Sequence, residues 1–484
     1  MRLTVQTTRL AMVPLLAAAM AGCAIKTSPP LPAVAAPDAW RRANPGGQVE
    51  IAAQAPDLSS WWTQFHDATL SGLVDEALRA NLDVRGARTR LREARARRVL
   101  AGQNLQPSVD ASVSVSGSGA GDKAGGSRTV VSAGLDASWE PDIFGGHRLG
   151  VTASEADLAA TSADLHATQV SLVAEVALNY VDLRTYQARL TIAQDNLQRQ
   201  SETLQLTSWR AQAGLATELD VEQSRANLEQ TRSQIPGLET GAAQARHRLA
   251  VLTGKPPDAL AGALDEAADI PSVSSRITIG IPADTLRQRP DVRAAELRLL
   301  GESARLGQAE AARYPTIRLS GSLGAQPLTS VGVALVDTFT SSIVGGLTAP
   351  LFNRGKIRQQ IEIQGAVEER ALIAYEQAIL TALEDVENAL VALANLQRRA
   401  TALAASVDAS RKAAELARNR YSAGLTGYQT VLDTERTVLS AEDSLKSTES
   451  ESTSAVIRLY KALGGGWAAE PAAASNPNPQ RKTS

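Results

Sequence analysis

The chain has 484 residues, 44% hydrophobic and 21% charged, a globular balance long enough for two or three ordinary cores. With 49 Lys and Arg against 51 Asp and Glu the net charge is -2, so there is no global basic field to hold nucleic acid. One cysteine, four histidines and three methionines exclude a disulfide framework and a Cys-rich zinc site, and leave little material for His-based catalysis or for a bound cofactor.

The chain opens with a short n-region carrying Arg2 and Arg9, followed by an apolar run over residues 10–20, the length of a signal h-region and too short to span a bilayer as a stable helix. It ends Met20-Ala21-Gly22-Cys23, which puts the sole cysteine where a lipobox places the residue that is lipidated and becomes the new first residue. This resembles a bacterial lipoprotein signal, with Met20 standing where Leu is usual. The other reading of the same residues is an ordinary secretory signal with an incidental cysteine. Lipidation of Cys23 would supply two or more acyl chains, enough for stable anchoring where one chain is marginal. Residues 1–22 are therefore expected as a signal, and residues 23–60, rich in Pro, Ala and Gly, as an extended tether.

Two similar halves follow. Arg210-Ala211-Gln212-Ala213-Gly214-Leu215 falls on Arg420-Tyr421-Ser422-Ala423-Gly424-Leu425 at an offset of 210, while Pro107 falls on Pro315 and Phe144 on Phe352 at 208. Each half runs helix, alternating segment, Gly-rich loop, second alternating segment, very long helix, Gly turn and returning helix.

The alternating segments are the strand signal. Val109, Ala111, Val113 and Val115 alternate with Asp110, Ser112, Ser114 and Ser116; Val131, Ala133, Leu135, Ala137 and Trp139 alternate with Ser132, Gly134, Asp136, Ser138 and Glu140. The second half repeats this more weakly, with Ile317, Leu319 and Leu323 in one segment and Ile343, Leu347 and Ala349 in the other. Such lengths suit outer-membrane strands, and they suit amphipathic hairpins on a soluble domain as well. If the four strands span a membrane, several chains must share a barrel, because four cannot close and an open edge cannot lie in hydrocarbon.

Residues 151–213 and 366–423 contain neither Gly nor Pro. Helices of that length reach about 95 and 87 Å, far beyond a globular helix. Leu158, Leu165, Leu172, Val176, Leu183, Leu190, Leu197 and Leu204 form a heptad seam with one stutter, and Leu372, Ile379, Val386 and Leu393 form its counterpart. Periodicity alone does not separate a coiled-coil rod from the wall of a tube.

Trp61-Trp62-Thr63-Gln64-Phe65-His66-Asp67, then Leu70, Leu73, Ala77-Leu78 and Asn81-Leu82-Asp83, resembles the TolC-like outer-membrane efflux proteins, in their lipoprotein (NodT-type) branch. Arg287-Gln288-Arg289-Pro290-Asp291-Val292-Arg293-Ala294-Ala295-Glu296 matches the element that opens the second half in that branch, and the two Arg-x-x-x-Gly-Leu turns match as well. The resemblance implies a mainly α, α+β fold with an internal repeat: four strands per chain complete a 12-stranded barrel in a homotrimer, continued by a long α-helical coiled-coil barrel through the periplasm. It implies a passive exit duct in the outer membrane of a Gram-negative bacterium, working with a periplasmic adaptor and an inner-membrane pump of the RND type. A lipid-anchored coiled-coil scaffold without a pore is the alternative, though it has no use for two alternating hairpins.

The resemblance also assigns roles. Gly214 and Gly424 fall at the periplasmic tip, with Arg210, Leu215, Thr217 and Asp220 in the first turn and Arg420, Leu425 and Thr426 in the second as candidate adaptor contacts. Asp433 and Tyr421 match positions at the periplasmic gate, with Arg420 a candidate partner; a second acidic position of some members falls on Thr430. The expected layout is a first repeat at 61–257, a linker at 258–281, a second repeat at 282–466 and a disordered tail at 467–484. Catalytic motifs are missing from the sequence: Asp142-Ile143-Phe144-Gly145 is no kinase Asp-Phe-Gly, and neither a phosphate-binding Gly loop nor His-Glu-x-x-His is present. No enzyme is expected.

Overall fold

In a computed structural model, the structure describes residues 40, 49–51, 57–118, 128–272, 277–279, 282–330 and 333–467. The signal, Cys23, most of the expected tether and residues 468–484 of the expected tail lie outside the described residues. In chain order the elements are β1 (Val49–Ile51), a 3-10 turn (Trp61–Phe65), α1 (Ala68–Ala80), α2 (Leu82–Gln103), β2 (Ser108–Ser118), β3 (Arg128–Trp139), α3 (Gly146–Gln212) and α4 (Glu218–Leu252). A second 3-10 turn (Pro257–Leu260), β4 (Ile277–Ile279), α5 (Pro282–Gln288), α6 (Pro290–Ala311), β5 (Thr316–Ser330), β6 (Val333–Thr348), α7 (Arg354–Ser422) and α8 (Tyr428–Ala462) follow. The two-fold order of the sequence is thus the order of the fold, and the long helices run to 67 and 69 residues.

The chain divides into two compact units, and each draws on both halves of the repeat. The first holds Thr89–Ser162 and Ala294–Gln377, with the four-stranded sheet ordered β2-β3-β5-β6 and antiparallel throughout. Its register sorts the side chains by chemistry. Ala111, Leu135 and Leu323 stand in one row, which ends at Ser341, and Val113, Ala133, Ala325 and Phe339 in the next, all on one face. The other face carries Asp110, Asp136, Ser322 and Ser342, with Ser112, Gly134, Gly324 and Thr340 beside them. On that polar face Ser114 meets Ser132 at 2.6 Å and Ser322 meets Ser342 at 2.8 Å, while Ser112 donates to Asp136 at 3.3 Å. β5 and β6, 15 and 16 residues long, extend beyond the segments legible in the sequence, through Pro327 and a register shift at Leu328/Thr329. Below the sheet Arg98 of α2 binds Glu155 of α3 at 2.6 Å, Arg305 of α6 pairs with Asp157 of α3, and Gln364 of α7 donates to Glu302 of α6 at 2.8 Å. The helices of this unit therefore stand in the row α2-α3-α6-α7.

The second unit packs an aromatic centre. Trp61 stacks on Tyr460 at 5.1 Å, and both are fully buried with Leu70, Tyr180, Leu249 and Ile457. Asp67 joins cap to core: one oxygen accepts from the Leu70 N–H and starts α1, and the other accepts from the Tyr180 hydroxyl at 2.7 Å. Some described residues fall within the spans expected as linker and tether. β1 pairs with β4 as a parallel two-stranded sheet, Trp40 is buried, and Arg184 and Gln187 of α3 bind the carbonyls of Glu266 and Leu264. The indole of Trp467, at the start of the expected tail, stacks on His166 at 4.4 Å.

Candidate functional site

The two long helices end in the same way, and the reason is glycine. Gly214 and Gly424 take φ of 70° and 75°, left-handed values that cost other residues strain. Each lets the chain fold back on the last helical carbonyls: Leu215 N–H donates to Arg210 C=O at 2.7 Å and Gly214 N–H to Ala211 C=O at 3.0 Å, while Leu425 and Gly424 bond to Arg420 and Tyr421 at 2.8 and 2.9 Å. The returning helices end identically at Gly254 and Gly464, again 210 residues apart.

The helices that leave the tip start differently. Thr217 and Asp220 cap α4 reciprocally, the Thr217 hydroxyl accepting from the Asp220 N–H and the Asp220 carboxylate accepting from the Thr217 N–H at 2.9 Å. Gly427 starts α8 without a side-chain cap, and there Thr426 Oγ1 bonds Thr430 Oγ1 at 3.1 Å. Leu215 and Leu425 stand 68% and 69% exposed at the turns.

Arg210 joins the two turns. Its guanidinium donates to the Ser422 carbonyl at 3.1 Å and lies 4.7 Å from the centre of the Tyr421 ring. Tyr421 is only 4% exposed: it meets Tyr428 edge to face at 5.9 Å within a cluster of Ala417, Val431 and Leu432, and its hydroxyl lies 3.4 Å from Thr207 Oγ1. Burial pushes the Tyr428 hydroxyl up to about 12. Of the residues assigned to the tip, the structure thus brings together Arg210 with Tyr421 and Thr217 with Asp220, and a Cβ added at Gly424 would lie 3.7 Å from Arg210 Nη2. Arg420 is exposed in the last turn of α7, and Asp433 is exposed on α8, where it accepts from Gln429 at 3.0 Å.

A polar seam between α3 and α8 escaped the sequence reading. Beyond Gln187 the buried row of α3 is Ala193, Asn196, Gln200, Thr203 and Thr207, at spacings of three and four, whereas Leu190, Leu197 and Leu204 are half-buried. Thr203 donates to Glu435 at 2.9 Å and Asn196 to Glu442 at 3.3 Å. Arg418 and Arg411 of α7 reach the same two carboxylates at 2.9 and 2.7 Å. The signal was present in the seven-residue steps of Arg411 and Arg418 and of Glu435 and Glu442, but a search for apolar periods passes over it.

The motif that opens the second half is a clamp. Pro290 and Asp291 start α6, and Arg289, nearly buried, binds Asp291 at 2.7 Å, Asp385 of α7 at 3.1 Å and the Ala462 carbonyl at the end of α8 at 3.0 Å. Burial would raise the Asp291 carboxyl, but the hydrogen bond and charge of Arg289 outweigh it and hold it below the usual carboxylate value. A groove of about 560 Å³ opens beside the clamp, lined also by Arg458 and Lys461.

These features, a two-faced antiparallel sheet and two helices of nearly 70 residues that end at matching glycines, are those of a known group of proteins. The pattern defining the outer membrane efflux protein family matches residues 73–255 and 281–465. The chain belongs to the outer membrane efflux protein family. Among its relatives is the pyoverdine export outer membrane protein OpmQ of Pseudomonas putida, 34% identical over 465 residues that cover 94% of this chain and 97% of that one. Nodulation protein T of Rhizobium leguminosarum bv. viciae is 31% identical over 413 residues, covering 85% of each. The solved structure of the outer-membrane channel OprN superposes with a TM-score of 0.85 at 36% identity, over 92% of this chain and 100% of that one. The fold is accordingly TolC-like with an internal repeat, and the protein is an outer-membrane efflux channel of a Gram-negative cell, with a large periplasmic part. The family consists of channels, not enzymes.

Proposed function

We propose that three copies of this chain form one exit duct of a tripartite efflux system, taking cargo from an inner-membrane pump of the RND type through a periplasmic adaptor. The observation that carries this is the open sheet. Its edges β2 and β6 run in opposite directions, because four strands alternate, so β6 of one copy and β2 of the next continue the antiparallel pattern until 12 strands close. Closure with the apolar face outward and the Ser, Thr and Asp face inward gives a lipid-facing belt and a wet lumen. The energy for transport is supplied at the other membrane, so the duct needs positioned surfaces rather than catalytic groups. Cys23 is its lipid anchor, and repeats at 61–257 and 282–466 are its two structural halves.

In this reading the exposed Leu215 and Leu425, with Thr426 beside them, meet the adaptor. Tyr421 and Asp433 hold the tip closed, and Arg210 and Arg420 supply its cations. Adaptor binding would shift the tip toward a splayed state. Tyr421→Phe combined with Asp433→Ala is expected to raise single-channel conductance in planar bilayers without lowering trimer yield. Unchanged conductance in a correctly assembled trimer would remove these two residues from the gate.

A further inference from the structure

The helices of the first unit repeat at an offset of 208: Arg97 falls on Arg305, Glu93 on Gly301, Asp157 on Gly365 and Phe144 on Phe352. Within one chain α6 lies against α3 through Arg305, which pairs with Asp157, and through Gly301, where an added Cβ would come 3.3 Å from Asp157 Oδ1 and 3.6 Å from the Ala153 carbonyl. The counterparts of α6 and α3 are α2 and α7, the two ends of the row α2-α3-α6-α7. Their version of this contact is therefore available only between copies.

The residues at the two ends fit that contact with sides exchanged. In the chain, glycine on α6 makes room for the carboxylate of α3; at the ends, glycine stands on α7 at 365 and the carboxylate on α2 at Glu93. An added Cβ at Gly365 meets nothing within 4 Å. If α2 of a neighbour takes the antiparallel register of α6 on α3, Glu93 lies over Gly365, and Arg97 and Arg90 come level with Glu362 and Glu369. Those two arginines are seven residues apart, and so are those two glutamates, so each pair forms a stripe on one helix face. Arg358, the counterpart of Gly150, comes opposite Leu100. The side chains of Arg97 and Glu93, bonded to each other at 2.6 Å, are 73% and 57% exposed in the single chain. Phe352 points the same way: it is fully exposed, whereas its counterpart Phe144 stacks on Tyr314 at 4.9 Å.

We propose that α2 of one copy docks on α7 of the next in this register, with Glu93 seated over Gly365 and Arg97 and Arg90 paired with Glu362 and Glu369. Charge complementarity along this seam makes the chain assemble with itself. The proposal rests on the trimer reading above. The test uses the full chain carrying Glu93→Cys and Gly365→Cys, oxidised in membranes, with the parent chain and its Cys23 as background. Covalent dimers and trimers on a denaturing gel are expected, and none from Arg95→Cys with Gly365→Cys, because position 95 faces away from that seam. Arg90→Glu is expected to weaken trimer formation roughly two- to fivefold per contact, with recovery when Glu369→Arg is added. If the parent is a trimer and the 93/365 pair links no better than the 95/365 pair, the register is wrong while the trimer stands. A parent that exists as a single copy removes both.

Discussion

Glu435 shows how much the packing of α3, α7 and α8 rests on a single charge. It is 3% exposed, one oxygen is bound by Thr203 and Arg418, and the other has no partner among the described residues. A buried ion pair is weak evidence for stability, but breaking one strands a charge in a low-dielectric interior. Arg418→Met is therefore expected to cost about 3–5 kcal/mol, nearer the lower figure because Arg418 reaches solvent, and Arg418→Met with Glu435→Leu should recover most of it. Urea titrations of the three proteins would check this; equal losses in the single and double variants would show that the pair does not act as a unit. At the opposite end of this unit, Arg289 holds the Asp291 carboxyl below its ordinary value. A carboxyl lowered in the folded state stabilises above its unfolded pKa and loses that contribution as pH falls through the folded value. Asp291→Asn should lower the melting temperature at neutral pH and flatten the fall on strong acidification. A constant gap between the two proteins down to acid pH would contradict the clamp.

The four glycine turns share one hydrogen-bond pattern, yet they are not equally tolerant as elements. At Gly214 an added Cβ meets nothing within 4 Å, so Gly214→Ala should cost only the left-handed backbone, ~1–2 kcal/mol. At Gly254 the same atom would lie 2.8 Å from the Ala80 carbonyl, which ties the end of α4 to the end of α1. Gly254→Ala should therefore destabilise clearly more than Gly214→Ala in thermal melts, and equal effects would mean that this close approach is relaxed at no cost. The turns at Gly214 and Gly424 were legible in the sequence, because a helix that stops sharply needs a residue able to take positive φ and these two glycines recur at a fixed offset; the turns at Gly254 and Gly464 emerged only with the structure. The sheet's two faces were legible as well, since alternation is a direct consequence of the pleat. The pairing of β1 with β4 was not: three residues carry no periodicity, and their partners lie more than 200 positions away. Nor was the contact of Arg210 with Tyr421, which pairs the two tips across the repeat and appears only once both helices are built. The clamp at Arg289 was visible as a motif, but its partners Asp385 and Ala462 lie on elements that the motif does not contain.

On the scale of the whole molecule, one chain is an unfinished structure. Its sheet has two open edges, its apolar face is exposed at Val113, Leu135, Leu323 and Ile343, and no helix among the described residues is long and apolar enough to cross a membrane. Unpaired strand edges are not tolerated in hydrocarbon, and four strands are too few to close. Three copies, as proposed above, would resolve both problems together and would set the two hairpins of each chain in one closed ring. The most direct measurement is the native mass of the protein extracted from outer membranes in mild detergent. The account predicts a particle of three chains with no smaller species at equilibrium; a stable particle of one chain, embedded and folded, would contradict it.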